Sequence, residues 1–225
     1  NIYAAGNDEI SIKNTAGVYS DDTISGGNHQ FASSMGTKSL GKKVWNRKLQ
    51  SEKTDQDTEI SIPSEEKIYT NVSSRTFTVP SGSYRYQVVV NEAGEWDVSS
   101  SVFGDALKNN YLSYTGYLKV DYYADGLSTT PSSDQEAVRL LEKQPVDHTV
   151  WVDINAGQTF SFSPADLRMT GKKGAFVLTY YAEPKNTENV SEVTSGNSFG
   201  LSGTVVGPGG TQATLSGVQV SASVV

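Results

Sequence analysis

Residues 175–181, Ala-Phe-Val-Leu-Thr-Tyr-Tyr, decide the fold, because they are the most apolar segment with strand character, and Pro184 follows them. Aromatic and β-branched residues of this kind fit the pleated surface of a β-sheet. A proline ends such a segment because it cannot donate to the hydrogen-bond ladder. We therefore predict a β-strand that stops at Pro184.

The same period-of-two pattern recurs on both sides of this strand, whereas helical periodicity is nearly absent. The segments that show it are 76–79, 84–90, 117–123, 150–154 and 159–163. The turn residues 155–158, Asn-Ala-Gly-Gln, predict a hairpin between the last two segments. Residues 133–143 alone have a helical pattern, with Ser133 or Asp134 as the N-cap.

These patterns predict an all-β protein: an antiparallel β-sandwich or jelly roll of about ten strands, with one short helix and extended polar terminal arms. Residues 1–60 are polar and weakly patterned, and we expect an irregular N-terminal arm there. Residues 61–184 form the expected β-sandwich core. Residues 185–225 form the expected C-terminal arm with a β-hairpin.

The composition of the 225 residues excludes several classes of protein. The chain has no cysteine and two histidines, so we expect no disulfide framework, no metal site and no cofactor. Its 18 basic and 25 acidic residues give a net charge of −7, which argues against a nucleic-acid partner. The first residue is Asn1, consistent with export or proteolytic maturation, and we expect an extracellular or virion location.

Three motifs resemble catalytic sites, but each lacks the residues or the structural context that catalysis requires. Residues 196–200 match Gly-x-Ser-x-Gly, but both histidines precede the serine and no apolar strand leads into it. Residues 36–43 resemble a phosphate loop with Lys43 where a hydroxyl is needed. Glu95 and Asp97 flank Trp96, yet strand alternation places these acids in water and the indole in the core. We predict no catalytic residue and no enzymatic activity.

A basic segment, residues 38–53, carries six basic side chains and one acidic one, a local charge of +5 that leaves −12 for the rest of the chain. Such a segment can meet anionic lipid headgroups, and an interfacial tryptophan strengthens the contact. The candidate anionic-surface patch consists of Lys42, Lys43, Trp45, Arg47 and Lys48. The alternative is a solvated basic loop with one buried tryptophan.

A C-terminal hairpin turns at residues 207–210, Gly-Pro-Gly-Gly, and a change of phase on its second arm predicts a bulge near Gly217. Each arm is long enough for a tilted membrane strand. The same pattern also describes a half-exposed hairpin, or a strand lent to a neighbouring subunit. The residues of this candidate assembly or membrane hairpin are Phe199, Leu201, Val205, Leu215, Val218 and Val220.

Three segments in order, residues 78–90, 114–126 and 214–221, resemble the pore-forming part of aerolysin-like β-pore-forming proteins. Residues 79–82, Val-Pro-Ser-Gly, are similar to the Val-Pro-x-Gly start of a strand in that family. The resemblance covers about a seventh of the chain. It implies a secreted protein that oligomerises on membranes, with an inserting hairpin ahead of residue 79. No individual functional residue is carried over.

The function that we predict first is a non-enzymatic, self-assembling structural β-protein, either a virion capsid or tail component or an extracellular filament subunit. Its partners are then copies of itself, in contact through subunit surfaces. The alternative is the aerolysin-like pore former, whose partner is membrane lipid. The third hypothesis is a carbohydrate-binding β-sandwich, which rests on Trp96, Trp151 and the twelve tyrosines as glycan contacts.

Overall fold

The computed structural model describes residues 10–22, 27–40, 46–64, 68–70, 72–108, 110–169, 173–185 and 195–224. The chain divides into two compact units, Asn1–Lys43 and Val44–Val225. The strands are β1 (Ile10–Asp22), β2 (Gly27–Leu40), β3 (Asn46–Lys53), β4 (Thr58–Ser61), β5 (Ile68–Thr70), β6 (Thr76–Val79), β7 (Tyr84–Val90), β8 (Val102–Leu107), β9 (Leu112–Tyr123), β10 (His148–Asp153), β11 (Thr159–Phe162), β12 (Ala175–Pro184), β13 (Ser195–Val206) and β14 (Gln212–Val224). The helix α1 spans Asp134–Leu141, and short 3-10 turns span Pro164–Leu167 and Pro208–Gly210.

The first unit contains a long antiparallel hairpin of β1 and β2. Its register pairs Ile10 with Leu40 and Asp22 with Gly27, and it shifts once between Val18 and Tyr19. The sequence prediction for this region was an irregular polar arm. The hairpin escaped prediction because its residues have no sustained apolar alternation, which is the signal that identifies a strand.

The second unit is an antiparallel β-sandwich, which confirms the predicted fold class. One sheet has the order β3-β7-β12-β9-β10-β5 and the other β11-β8-β13-β14. Neighbouring strands in the two sheets are antiparallel, except that β5 and β10 run parallel. Aromatic rings pack between the sheets, since Phe103 of β8 meets Phe176 of β12 at 5.4 Å and Tyr114 of β9 meets Phe160 of β11 at 5.3 Å. These contacts place the core between the two sheets.

The helix α1 covers part of the outer face of the six-stranded sheet, where Val138 and Leu141 pack with Val89 and Val177. The predicted helix and its cap are confirmed, because the Ser133 hydroxyl accepts a hydrogen bond from the Glu136 backbone N–H at 3.1 Å. None of the helices in the described part of the chain has the length and apolarity that a membrane crossing requires.

The small hairpin of β4 and β6 covers another part of that face. Its Phe77 ring lies 4.9 Å from Tyr117 and 6.1 Å from Trp151. The inner and outer faces of the six-stranded sheet are therefore both packed, and its central strands β7, β9 and β12 are buried over most of their length.

The predicted hairpin between residues 150–154 and 159–163 is wrong. Strand β10 pairs with β9 in the six-stranded sheet, whereas β11 pairs with β8 in the four-stranded sheet. The turn at residues 155–158 exists, with Ala156 at a φ of 60°, but it carries the chain from one sheet to the other. Turn residues specify a change of direction, and they do not specify which strand the chain pairs with next.

The predicted segment boundaries also differ from those of the sandwich. Strand β3 pairs with β7, so the six-stranded sheet begins at Asn46 and includes residues that were expected in the polar arm. At the other end of the chain, β13 pairs with both β8 and β14 and belongs to the four-stranded sheet. The predicted bulge near Gly217 is confirmed, because Leu201 pairs with Val218 and Gly203 with Leu215.

Candidate functional site

A cluster of polar side chains lies between the two sheets of the sandwich. It joins Lys48 of β3 to Asp105 of β8 and Asn197 of β13, with Tyr180 of β12 beside them. The side chains of Lys48 and Asp105 are both 0% exposed, and Asn197 is equally buried. Buried ionisable side chains are rare unless they are paired, so this cluster is the candidate functional site.

The Lys48 ammonium donates to three oxygen atoms. Lys48 Nζ lies 2.5 Å from Asp105 Oδ2, 2.6 Å from the Tyr180 hydroxyl and 2.9 Å from Asn197 Oδ1. All three donor positions of the amine are thus occupied by protein groups. The contacts bring the amine directly against the carbonyl end of the Asn197 carboxamide.

The Asp105 carboxylate accepts further hydrogen bonds from two tyrosines. The Tyr114 hydroxyl donates to Asp105 Oδ1 at 2.5 Å, and the Tyr180 hydroxyl donates to Oδ2 at 2.6 Å. Burial raises the pKa of both tyrosines, and the charge of Asp105 raises them further. The two phenols therefore stay protonated and act as fixed donors that hold Asp105 in place.

Aromatic rings exclude water from this cluster. Tyr86 and Tyr180 stack with centroids 5.5 Å apart, and Lys48 Nζ lies 5.3 Å from each of their ring centroids. Phe160 packs against Tyr180 at 5.3 Å. Burial among these rings lowers the pKa of Lys48 to about 8, although the charge and the hydrogen bond of Asp105 act to raise it.

The strand pattern explains why Asp105 and Asn197 point inward. Asp105 has the same phase on β8 as the buried Phe103, and Asn197 has the same phase on β13 as the buried Phe199 and Leu201. Successive side chains on a strand alternate between faces, so a polar residue in phase with apolar neighbours faces the core. Sequence reasoning missed both residues, and this phase is the signal that identifies them.

The structure describes two residues of the predicted anionic-surface patch, Arg47 and Lys48, and neither is an exposed cation. Lys48 is buried in the cluster, and the side chain of Arg47 is 12% exposed. The Arg47 guanidinium forms ion pairs with Glu92 and with Asp134, and the hydrogen bond to Glu92 raises its pKa against the effect of burial. Carboxylates of the same chain therefore neutralise both cations. Lys42, Lys43 and Trp45 lie outside the described residues.

The apolar residues of the predicted C-terminal hairpin lie mostly in the core. Phe199, Leu201, Val205 and Leu215 are buried, and Val220 is half-buried. The side chain of Val218 is outside the described part of the chain. These side chains stabilise the sandwich, and their role in assembly or in a membrane stays a prediction.

The tryptophans on which the glycan hypothesis rests are not available to a sugar. Trp96 is 1% exposed and Trp151 is 6% exposed. An aromatic ring must present a free face to stack on a carbohydrate, so this part of the hypothesis is wrong. Over the residues that the structure describes, no group of three or more His, Cys, Asp or Glu side chains is placed to hold a metal ion.

The buried cluster has the groups for one kind of chemistry. An amine whose pKa lies near neutrality is adjacent to a carboxylate that can take its proton and to a carboxamide that it can attack. The same burial closes the site to any molecule from solvent. The arrangement can therefore act only on the protein's own side chains.

Comparisons with known proteins identify no family. No protein-family model matches the chain, and no curated protein sequence matches it. Among solved structures, the chain is similar to the collagen-binding domain from a Staphylococcus aureus adhesin, with 10% identity and a TM-score of 0.35 over 74% of this chain and 94% of that domain. It is also similar to BcpA, the major pilin subunit of Bacillus cereus, with 13% identity and a TM-score of 0.32 over 84% of this chain. The match spans 43% of that pilin, and likenesses at these TM-scores carry no argument about function.

Proposed function

We propose that this protein is a non-enzymatic structural protein that works outside the cell, in a filament or a virion, by joining copies of itself. The observation that carries the proposal is the hairpin of β1 and β2. Within the described residues these strands, 13 and 14 residues long, form a two-stranded sheet of their own.

A two-stranded sheet leaves the outer backbone edge of each strand open to a further strand. An isolated hairpin is also marginally stable in water, and three or more strands are needed for independent stability. Pairing with the hairpin of another copy meets both requirements, because each copy offers the same edges. β-Strand addition of this kind gains its affinity from main-chain hydrogen bonds.

The candidate site supports the same proposal from another direction. Its three reactive side chains are closed to solvent, so they have no access to a diffusing substrate. An enzyme needs such access, so the buried cluster supports the non-enzymatic part of the proposal.

Sedimentation velocity over a range of concentrations tests the proposal. We expect the wild-type chain to form assemblies that grow with concentration. The variant Thr15→Pro, in the middle of β1, should remain monomeric because proline breaks the strand. The control Thr129→Pro lies in an exposed bend and should assemble like the wild type. A wild-type protein that stays monomeric, or a Thr15→Pro variant that assembles normally, would contradict the proposal.

Pore formation is the second candidate, and the length of the same hairpin favours it. Each strand exceeds the 9–11 residues that a tilted membrane strand requires. The hairpin also lies ahead of residue 79, and the aerolysin-like resemblance implies an inserting hairpin in that part of the chain. Dye release from vesicles that contain anionic lipid distinguishes the two functions. Leakage caused by the wild type and abolished in Thr15→Pro would replace the structural proposal with a pore.

A further inference from the structure

The contacts of Lys48 go beyond those of an ordinary buried ion pair. Besides its carboxylate partner, the Lys48 amine contacts the carboxamide of an asparagine, because Asn197 Oδ1 lies 2.9 Å from Lys48 Nζ. The two residues come from different sheets, β3 and β13, and are 149 positions apart. The fold thus brings an amine and a carboxamide together in a pocket from which water is excluded.

We propose that Lys48 and Asn197 become joined by an intramolecular isopeptide bond, with Asp105 as the catalytic residue that transfers the protons. The inference is independent of assembly, because the groups that react belong to one chain and are all buried. It assigns to the sandwich a self-catalysed modification that occurs once, after folding has brought the three strands together.

The first step is a proton transfer from the Lys48 ammonium to the Asp105 carboxylate along their 2.5 Å hydrogen bond. It converts two buried charges into a neutral amine and a neutral acid, which a water-free site favours. Burial among aromatic rings acts in the same direction, since it lowers the pKa of the Lys48 amine. The amine then has the free electron pair that attack on a carbonyl requires.

In the second step the Lys48 nitrogen attacks Asn197 Cγ, and the carbonyl electrons move to Oδ1. The protonated Asp105 donates a hydrogen bond to the oxyanion that forms. Asp105 also relays a proton from Nζ to Nδ2 of Asn197. The Cγ–Nδ2 bond breaks, the carbonyl re-forms and ammonia leaves. The ammonium and carboxylate of the starting state have then become a neutral amide, ammonia and a carboxylic acid, so that atoms and charge balance.

The two tyrosines have positioning roles in this scheme. The Tyr114 hydroxyl holds Asp105 Oδ1 at 2.5 Å, which leaves Oδ2 facing the amine. The Tyr180 hydroxyl lies 3.4 Å from Asn197 Nδ2 and 2.6 Å from Lys48 Nζ, between the leaving and attacking nitrogens. These contacts fix the reacting groups close to one another before reaction, which lowers the entropic part of the barrier.

Mass spectrometry of the intact, purified full-length protein tests the inference. We expect a mass lower than that of the sequence by one ammonia, about 17 Da. Tryptic digestion should yield one branched product, residues 48–53 joined to residues 186–225, because the modified Lys48 no longer directs cleavage. A full sequence mass would overturn the inference. So would ammonia loss without the branched product, because cyclisation within a single asparagine also releases ammonia.

Matched variants separate the role of each residue. Asn197→Ala and Lys48→Arg should show the unmodified mass, and Asp105→Asn should fold yet lose the modification. The control Lys53→Arg changes an exposed lysine on the same strand and should keep it. Circular dichroism establishes that each variant is folded. Retention of the branched product in a folded Asp105→Asn variant would refute the role of Asp105, and the wild-type mass decides the bond even if a variant fails to fold.

Discussion

The isopeptide bond has a mechanical consequence whose size follows from the positions of its two residues. Lys48 and Asn197 enclose 197 − 48 = 149 residue steps of the chain. When force is applied to the two ends of the linked protein, this loop cannot extend, because the bond carries the load past it. A stretched residue spans about 3.5 Å, so the bond withholds about 520 Å of contour length.

Single-molecule force spectroscopy with handles at both ends of the full chain measures this length directly. The perturbation is Asn197→Ala, which removes the carbon that the bond requires. We expect the variant to release about 520 Å more contour length than the wild type on complete unfolding. Residues outside the loop contribute the same contour length in both proteins, so their contribution cancels in the difference. The control Asn155→Ala changes an exposed turn inside the loop and should give the wild-type length. Equal release by wild type and Asn197→Ala would refute the reasoning.

Three further predictions concern stability. In the Asn197→Ala background, burial lowers the pKa of Lys48 from 10.5 to about 8, so the unfolded chain binds that proton more tightly. Lys48 should therefore contribute a rise of about 1–2 kcal/mol in the free energy of unfolding from pH 8 to about pH 9.5, measured by urea denaturation as the difference between this variant and the same variant with Lys48→Met. Phe103 is fully buried against three phenylalanine rings. Phe103→Ala should therefore lower the free energy of unfolding by about 3–5 kcal/mol, measured in the same way. Ser133→Ala removes the cap bond to the Glu136 N–H and should lower the stability by about 1 kcal/mol, seen as a lower Tm.

Each of these three has a control. A second substitution, Lys48→Met, should abolish the rise with pH, and an unchanged slope would show that another group titrates. Val102→Ala shortens an exposed apolar side chain on the same strand as Phe103 and should change the stability by less than about 0.5 kcal/mol. Ser128→Ala, at an exposed serine, should leave Tm unchanged, and an equal loss there would contradict the capping argument.

Local patterns predicted the parts of the fold that local forces determine. The aromatic and β-branched segments around residues 84–90 and 175–181 became β7 and β12, and the capped apolar pattern after Ser133 became α1. Strand pairing is determined by contacts between segments that are far apart in the sequence, and the local pattern does not specify those contacts. The turn after β10 looked like a hairpin for this reason, although β11 lies in the other sheet.

The sequence does not predict the candidate site, because polar residues occupy inward-facing positions of β3 and remove the apolar alternation that identifies a strand. Asn46 and Lys48 of β3 are buried, and the polarity of such residues made the segment 38–53 resemble a solvated basic surface. A lysine in a sequence is normally exposed, so the charge alone predicts a surface. The buried partner carboxylate belongs to β8, more than fifty residues away, and only the folded sandwich brings it into contact.

The positions of the proposed bond and of the proposed assembly hairpin are consistent with a single mechanical role. If copies join through β1 and β2, force from a neighbour enters the sandwich along the chain that leads into β3, and Lys48 is the third residue of that strand. Force from the C-terminal side enters through β14 and β13, and Asn197 is the third residue of β13. A bond between these two residues passes the load directly from β3 to β13, so that the segment between them, which contains β4 to β12, is not loaded. β3 is an edge strand that in the six-stranded sheet pairs with β7 alone, so without the bond its separation is opposed by the hydrogen bonds to a single neighbouring strand. The crosslink therefore lies where a subunit under tension needs it, and a filament of unlinked Asn197→Ala subunits should extend irreversibly at forces that the wild-type filament withstands.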